Sequence, residues 1–478
     1  MNPQKAKKQS VKVIVSETIM VLTVVMTVII LVLLVSGYWL NSDFEVEQSG
    51  MLQVSSVPTG ATVEIDGEVS SWLQRTNTSK VLNSGEHTIK LTKDGYDSWS
   101  KTIRISEGLL YRLHYPRLFP LERNTEDILA TTDYTKATIS SDHNSMLLMN
   151  GTTEWAVVNL DTDNPSVRKL NVSRLFSDVS LAENAKVGLF NGEIMQYDWD
   201  YDSSHILFKV KNSDSIEWVL LDVDNVDKST NLTKEFGGNF SRIEIVDNNS
   251  NNLLTIQDGN LQQINLPGRS ISNIIASNVA DFDHFGNEIV FSAADHSSEH
   301  ENTDSSVNQP SNYIGLFKLG DDKITELERT NTATKVALGK FYDSKYIAVV
   351  SNNLVSIHQK DNYFEDVREY ETSFSPDLVE VGHNGEFLLL TKDYTIATLD
   401  LEATKISEWT IENHYGWLDN DMLYTASNGN LVVYDFDGLN RRILANNASS
   451  HFPASVTSDK WLYYFSDNKL VRESIEVQ

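Results

Sequence analysis

The chain has 478 residues, no cysteine and a formal net charge of −28. The missing cysteines exclude disulfides, zinc–thiolate centres and cysteine nucleophiles together. The first 40 residues carry a net +3 and the remainder −31; so acidic a body lacks the clustered cations that nucleic acid or an anionic membrane surface demands.

Residues 1–12 form a short basic tail with Lys5, Lys7, Lys8 and Lys12. Residues 18–42 then run for 25 positions without a charge, mostly Val, Leu, Ile and Met. Roughly 20 apolar residues at 1.5 Å rise cross a ~30 Å hydrocarbon core, so a transmembrane helix is expected over 13–40. The lysines mark the cytoplasmic side, while Asp43, Glu45 and Glu47 follow the span. The expected orientation is amino end in and carboxyl end out, with Tyr38 and Trp39 at the interface. A cleaved signal peptide is the competing reading. Signal cores run about 7–15 residues before a small-x-small site; here the run is longer and Val35-Ser36-Gly37 matches such a site poorly. Residues 41–49 read as a linker.

Residues 50–120 change character. The stretches 51–56 (MLQVSS), 61–66 (ATVEID), 86–91 (EHTIKL) and 99–105 (WSKTIRI) alternate apolar and polar, the period of half-buried strands. Pro58-Thr59-Gly60, Asp66-Gly67 and Asp94-Gly95 punctuate them as turns. The succession Pro58-Thr59-Gly60-Ala61, Ile65-Asp66-Gly67, Gly85-Glu86-His87-Thr88-Ile89 and Lys93-Asp94-Gly95-Tyr96 resembles a PEGA domain. Thr59 stands where that family has its eponymous Glu, and 69–80 (VSSWLQRTNTSK) replaces a compact segment. The resemblance implies a small β-sandwich of surface proteins that contacts envelope polymers or other proteins and is not an enzyme. His87 reads as a strand residue that faces solvent or packs on the sheet.

Over 121–478 the chain repeats, and repeats outrank local readings. Eight times a polar turn precedes an apolar strand and a second strand follows. The first strands are SMLLMN, HILFKV, NLLTI, EIVFSA, YIAVV, FLLLT, MLYTA and WLYYF; the second run from WAVVNLD to LVRESI. The spacing of about 44 residues is that of four-stranded propeller blades, which bury both faces only when ringed by neighbours. The pattern is similar to TolB-type and WD40-like propellers. The expected fold is therefore all-β: a transmembrane helix, a small PEGA-like β-sandwich and a seven- or eight-bladed β-propeller. A twin β-sandwich is the architectural alternative. Residues 295–311 read as a polar insertion, and 164–193 resist assignment to a repeat.

Three features invite chemistry. Acidic doublets at Asp161/Asp163, Asp198/Asp200/Asp202, Asp222/Asp224, Asp281/Asp283 and Asp435/Asp437 could offer oxygens to Ca²⁺, but Asp is an ordinary turn residue and none fits a spaced Ca²⁺ loop. His296 and His300, with Asp295, Glu299 and Glu301, could hold a divalent metal, but a polar loop lacks the rigid support such a site needs. Trp99, Trp155, Trp199, Trp218, Trp417 and Trp461 read mainly as core; Trp72, in the divergent segment, reads as the exposed exception. No hydrolase, zincin, P-loop or dinucleotide motif occurs. No catalytic, cofactor or metal residue is assigned. The expectation is a single-pass extracytoplasmic binding or scaffold protein of the bacterial cell surface, meeting an envelope polymer or a surface protein. The alternative is a propeller enzyme acting on glycan or peptide, favoured if two carboxylates stand about 5–10 Å apart at a channel mouth.

Overall fold

The computed structural model describes the chain apart from residues 1–2, 36–37, 41–45, 70–74, 151–153, 162, 173, 177–193, 201, 213–214, 247–248, 295–311, 322, 360–366, 383, 413–414 and 477–478. It divides into two units, one running to Glu122 and one spanning Arg123–Glu476.

The first unit opens with helix α1, Pro3–Val35. Its side chains are described from 17 to 33 and all are exposed, Ile19 through Leu33 among them. Among the described residues no helix is long and apolar enough to cross a membrane. The helix expected over 13–40 is observed as Pro3–Val35, and Tyr38–Leu40 is a strand. Strand β1 (Tyr38–Leu40) pairs antiparallel with β2 (Val46–Val54), so strand structure enters the stretch read as linker.

The remainder of this unit is a sandwich of two four-stranded sheets. In one, β2 lies between β5 (Thr78–Asn83) and the parallel β8 (Leu110–Leu113), with β1 also on β2. The other has the order β4 (Glu68–Val69), β3 (Thr62–Ile65), β6 (Gly85–Thr92), β7 (Trp99–Ile105). Strict alternation makes the core: Trp99, Lys101, Ile103 and Ile105 of β7 are buried while Ser100, Thr102 and Arg104 face out. Lys101 is not stranded, because its ammonium lies 4.6 Å from the Tyr115 ring. Strands β5 and β8 escape the sequence pattern, since their outward positions are aliphatic as well as polar.

Among the described residues the second unit holds eight four-stranded antiparallel sheets, the first seven of them simple meanders. The apolar strands of the sequence repeats are the second and third strands of each. Their near-continuous hydrophobicity has a geometric cause: successive side chains point to opposite faces, and both faces are covered. In Ser145–Asn150, Leu147 and Met149 pack on Phe208 and Val219 of the second sheet, while Met146 and Leu148 pack on Tyr463 and Phe465 of the eighth. Equivalent clusters join the second sheet to the third and so on to the seventh. The seventh meets the eighth through hydrogen bonds such as Val456 N–H to the Leu418 carbonyl, 2.8 Å. The sheets therefore close a propeller-like ring. The eighth is completed by β9 (Thr125–Ala130), which pairs with the C-terminal strand Lys469–Ser474.

Candidate functional site

The first strands of the sheets adjoin one another. Those of the third to sixth are Phe240–Val246, Val279–Phe285, Thr334–Phe341 and Leu378–Val381. Together they wall a cavity of about 950 Å³ lined by Arg242, Glu244, Asp281, Asp283, His284, Lys335, Lys340 and Glu380, among others. The reason is local. On the first two of these strands Ile243 and Phe282 pack between sheets, while Arg242, Glu244, Asp281 and Asp283, at alternate positions, line the cavity.

Arg242 is the hub. Its Nε donates to Glu244 Oε1 at 2.6 Å, its Nη1 donates to Asp281 Oδ1, and its guanidinium lies 4.6 Å from the Phe282 ring. The aspartates also stitch neighbouring sheets. Asp281 Oδ2 accepts from Val336 N–H at 3.0 Å and Asp283 Oδ2 from Leu338 N–H at 2.8 Å, both on the next first strand. Asp283 Oδ1 accepts from His284 N–H at 2.8 Å, and His284 Nε2 stands 3.9 Å from Glu244 Oε2.

This packing of charge shifts the titrations. Burial, then the Glu244 carboxylate, pushes the Asp283 carboxyl up to about 7 against the pull of its N–H donors and Arg242. Burial also raises Asp281, with Arg242 opposing. Burial works against the Arg242 charge, but Glu244, Asp281 and Asp283 outweigh it and hold the proton more firmly than usual. Glu380 is raised by burial, opposed by the Trp417 indole. Glu380 is exposed to the solvent of the cavity, and Arg242, Asp281 and Asp283 are half-buried along its wall. The Lys335 ammonium has no hydrogen-bond or ion-pair partner among the described residues, although its charge acts on Asp281. The cavity thus offers an Arg–carboxylate cluster, three carboxyls shifted toward the neutral form (Asp281, Asp283 and Glu380) and two lysines, Lys335 and Lys340. The carboxylates that could hold a metal already accept from Arg242 or backbone N–H groups, so no metal is assigned to them.

The turn reading of the acidic doublets divides. Asp200 accepts from Ser204 and His205 N–H, both at 2.8 Å, and Asp222 from Asp224 and Asn225 N–H at 3.0 and 2.7 Å. Asp435 accepts from Asn440 Nδ2 at 2.8 Å, Asp437 from Leu439 N–H at 3.3 Å, and Asp161 accepts from Ser458 Oγ. These are turn and loop duties. Asp281 and Asp283 are the correction: they lie on a strand and line the cavity, and Asp198 is likewise on a strand, Ile194–Trp199. The alternation Arg242-Ile243-Glu244 and Asp281-Phe282-Asp283 carries the signal, since period-2 charges separated by an apolar residue share one strand face.

His87 is also more than a bland strand residue. Its Nδ1 bonds Asp66 Oδ2 at 2.7 Å and its Nε2 the Asn83 carbonyl at 2.8 Å. The ring is thereby held between the Asp66 turn and the Asn83 carbonyl. Asp66, at the Ile65-Asp66-Gly67 turn, is lowered by His87 and then by Thr88 N–H, which donates to it at 2.8 Å. Trp99, Trp155, Trp199 and Trp218 are core, whereas Trp417 and Trp461 are partly buried. Trp72, Asp295, His296, Glu299, His300 and Glu301 lie outside the described residues.

Comparison with known proteins fits this division. Residues 49–116 match the PEGA domain family. No curated protein matches the chain. Among solved structures, the C-terminal WD40 domain of Sif2 is 11% identical with a TM-score of 0.45, covering 74% of this chain and 99% of that one. Hsv2 of Kluyveromyces lactis is 10% identical at 0.42, covering 66% and 98%. An oligogalacturonate lyase from Vibrio parahaemolyticus is 11% identical at 0.40, covering 74% and 98%. At such scores the ring architecture rests on the chain's own sheet pairing. The class so defined is an all-β protein joining a PEGA-matching sandwich to a propeller-like ring. That combination fits a surface or binding protein.

Proposed function

We propose that this chain is a single-pass membrane protein of the bacterial cell surface, held amino end in by α1. In this reading the eight sheets are the blades of one propeller, displayed outside the membrane to bind an envelope glycan or a protein partner. The uncharged run at 18–42, the lysines before it and the PEGA match support the placement. The observation that carries the binding role is the cavity of about 950 Å³, with charges of both signs on four adjoining strands, Lys335 and Lys340 among them.

The test is capture of fractionated envelope polysaccharide and protein by the full chain in lipid nanodiscs, beside Lys335→Ala. Loss of capture in the variant at unchanged melting temperature supports the reading, and equal capture by both removes the cavity from it. A second reading, a glycan-cleaving enzyme, draws on one observation. Asp283 is held toward its acid form near other carboxylates, which is the disposition of a general acid. Release of new reducing ends from envelope glycan, abolished in Asp283→Asn, would favour it over binding alone.

A further inference from the structure

On the sandwich, β2 lies between β5 and β8, and the register sets Met51 opposite Val81 on one side and Leu110 on the other. All three point to the outer face of the sheet and are exposed, at 44%, 40% and 37%, whereas their neighbours Leu52 and Leu82 point inward and are buried. Leu109, 64% exposed, extends the row, its carbonyl accepting from Met51 N–H at 2.9 Å. The next outward row on the same strands is Ser79, Gln53 and Arg112, which is polar. A solvated sheet face ordinarily shows polar residues, so a contiguous aliphatic row needs a cover.

Chain length identifies it. Helix α1 ends at Val35, Tyr38 pairs with Gln48, and Met51 lies three residues further along the same strand. Three extended residues reach about 10 Å on each leg and the step between paired strands adds about 5 Å, so the row stays within about 25 Å of the helix end. Tyr38 is tied to β2 as well, its hydroxyl accepting from Gln48 Nε2 at 3.3 Å. The row therefore lies within reach of whatever surface α1 enters. One row of four aliphatics is also far short of the ~800 Å² per partner of a stable protein interface, but suits shallow contact with a bilayer.

We propose that the row Val81–Met51–Leu110, with Leu109, rests on the lipid surface from which α1 emerges, so that the sandwich lies against the membrane by apolar contact. This rests on the membrane-anchor reading above. The absence of cysteine makes the test clean. Single variants Met51→Cys, Val81→Cys, Ser100→Cys (outer face of the opposite sheet) and Ile29→Cys (in α1) are labelled with a small fluorophore. The full-length chain is then reconstituted in phosphatidylcholine vesicles and quenched by lipid-borne nitroxide or by aqueous iodide. Labels at 51 and 81 are expected to be quenched by the lipid nitroxide about twofold or more beyond the label at 100, and to be shielded from iodide. Iodide access at 51 and 81, or shielding from both quenchers as a protein cover would give, overturns the proposal. Lipid quenching at 29 without it at 51 defeats this inference and leaves the anchor standing; no lipid quenching at 29 defeats both.

Discussion

Asp283 concentrates the energetic conflict of the cavity. It accepts two backbone N–H bonds yet is pushed up to about 7 by burial and by Glu244. A carboxyl raised on folding contributes stability that is complete below its unfolded value near 4 and is lost as pH rises through about 7. The thermal midpoint is therefore expected to fall between pH 5 and pH 8, and to fall less steeply in Asp283→Asn, by calorimetry across that range. Asp66 has the opposite sign. Asp66 is lowered, so the stability it supplies is present above its unfolded value and lost as pH drops through the folded one. Replacing His87 by Ala is expected to cost about 1 kcal/mol near pH 6, read from urea unfolding of the sandwich. Neither role was legible from its own residue. Asp283 looks like a turn aspartate until its strand is known, and His87 acquires its partners only when residues 21 and 4 positions away fold back upon it.

At the scale of strands, what could be read in the sequence follows burial. The second and third strands of each sheet are covered on both faces, and their apolar runs stood out one by one. The first strands expose a face to a wet cavity, so Arg242-Ile243-Glu244 carries too few apolar residues to register. The outermost strands, such as Lys405–Thr410, are largely solvent-facing and were equally silent. The site was hidden for that reason: it is built wholly on the quiet first strands. Strand β9 was missed because its partner lies more than 300 residues away. Its clasp is polar as well as backbone. Arg123 Nε donates to Glu473 Oε2 at 2.7 Å, while Thr125 Oγ1 and the Tyr464 hydroxyl donate to Oε1 at 3.1 and 2.7 Å. Replacing Glu473 by Ala removes the acceptor that Arg123, Thr125 and Tyr464 share and is expected to cost on the order of 3 kcal/mol, seen as a lower urea midpoint at unchanged slope.

For the molecule as a whole, every sheet of the ring, β9 included, is drawn from Arg123–Glu476. The fragment 123–476 is therefore expected to fold alone and to melt in one cooperative transition within a few degrees of its value in the full chain. A fragment beginning at 136, which deletes β9, is expected to melt lower and to aggregate, because the edge at Lys469–Ser474 is bared. Light scattering during a thermal ramp separates the two.

The pairing of β9 with Lys469–Ser474 also makes closure of the ring wait on the ribosome. The first strand of the ring stays unpaired while more than 300 residues are produced, and it is satisfied only by the ring's last strand. A chain interrupted anywhere before that point presents an open edge to any protease or chaperone that patrols its compartment. Closure is thus a proofreading event: only a ring made through Ser474 hides its own first strand.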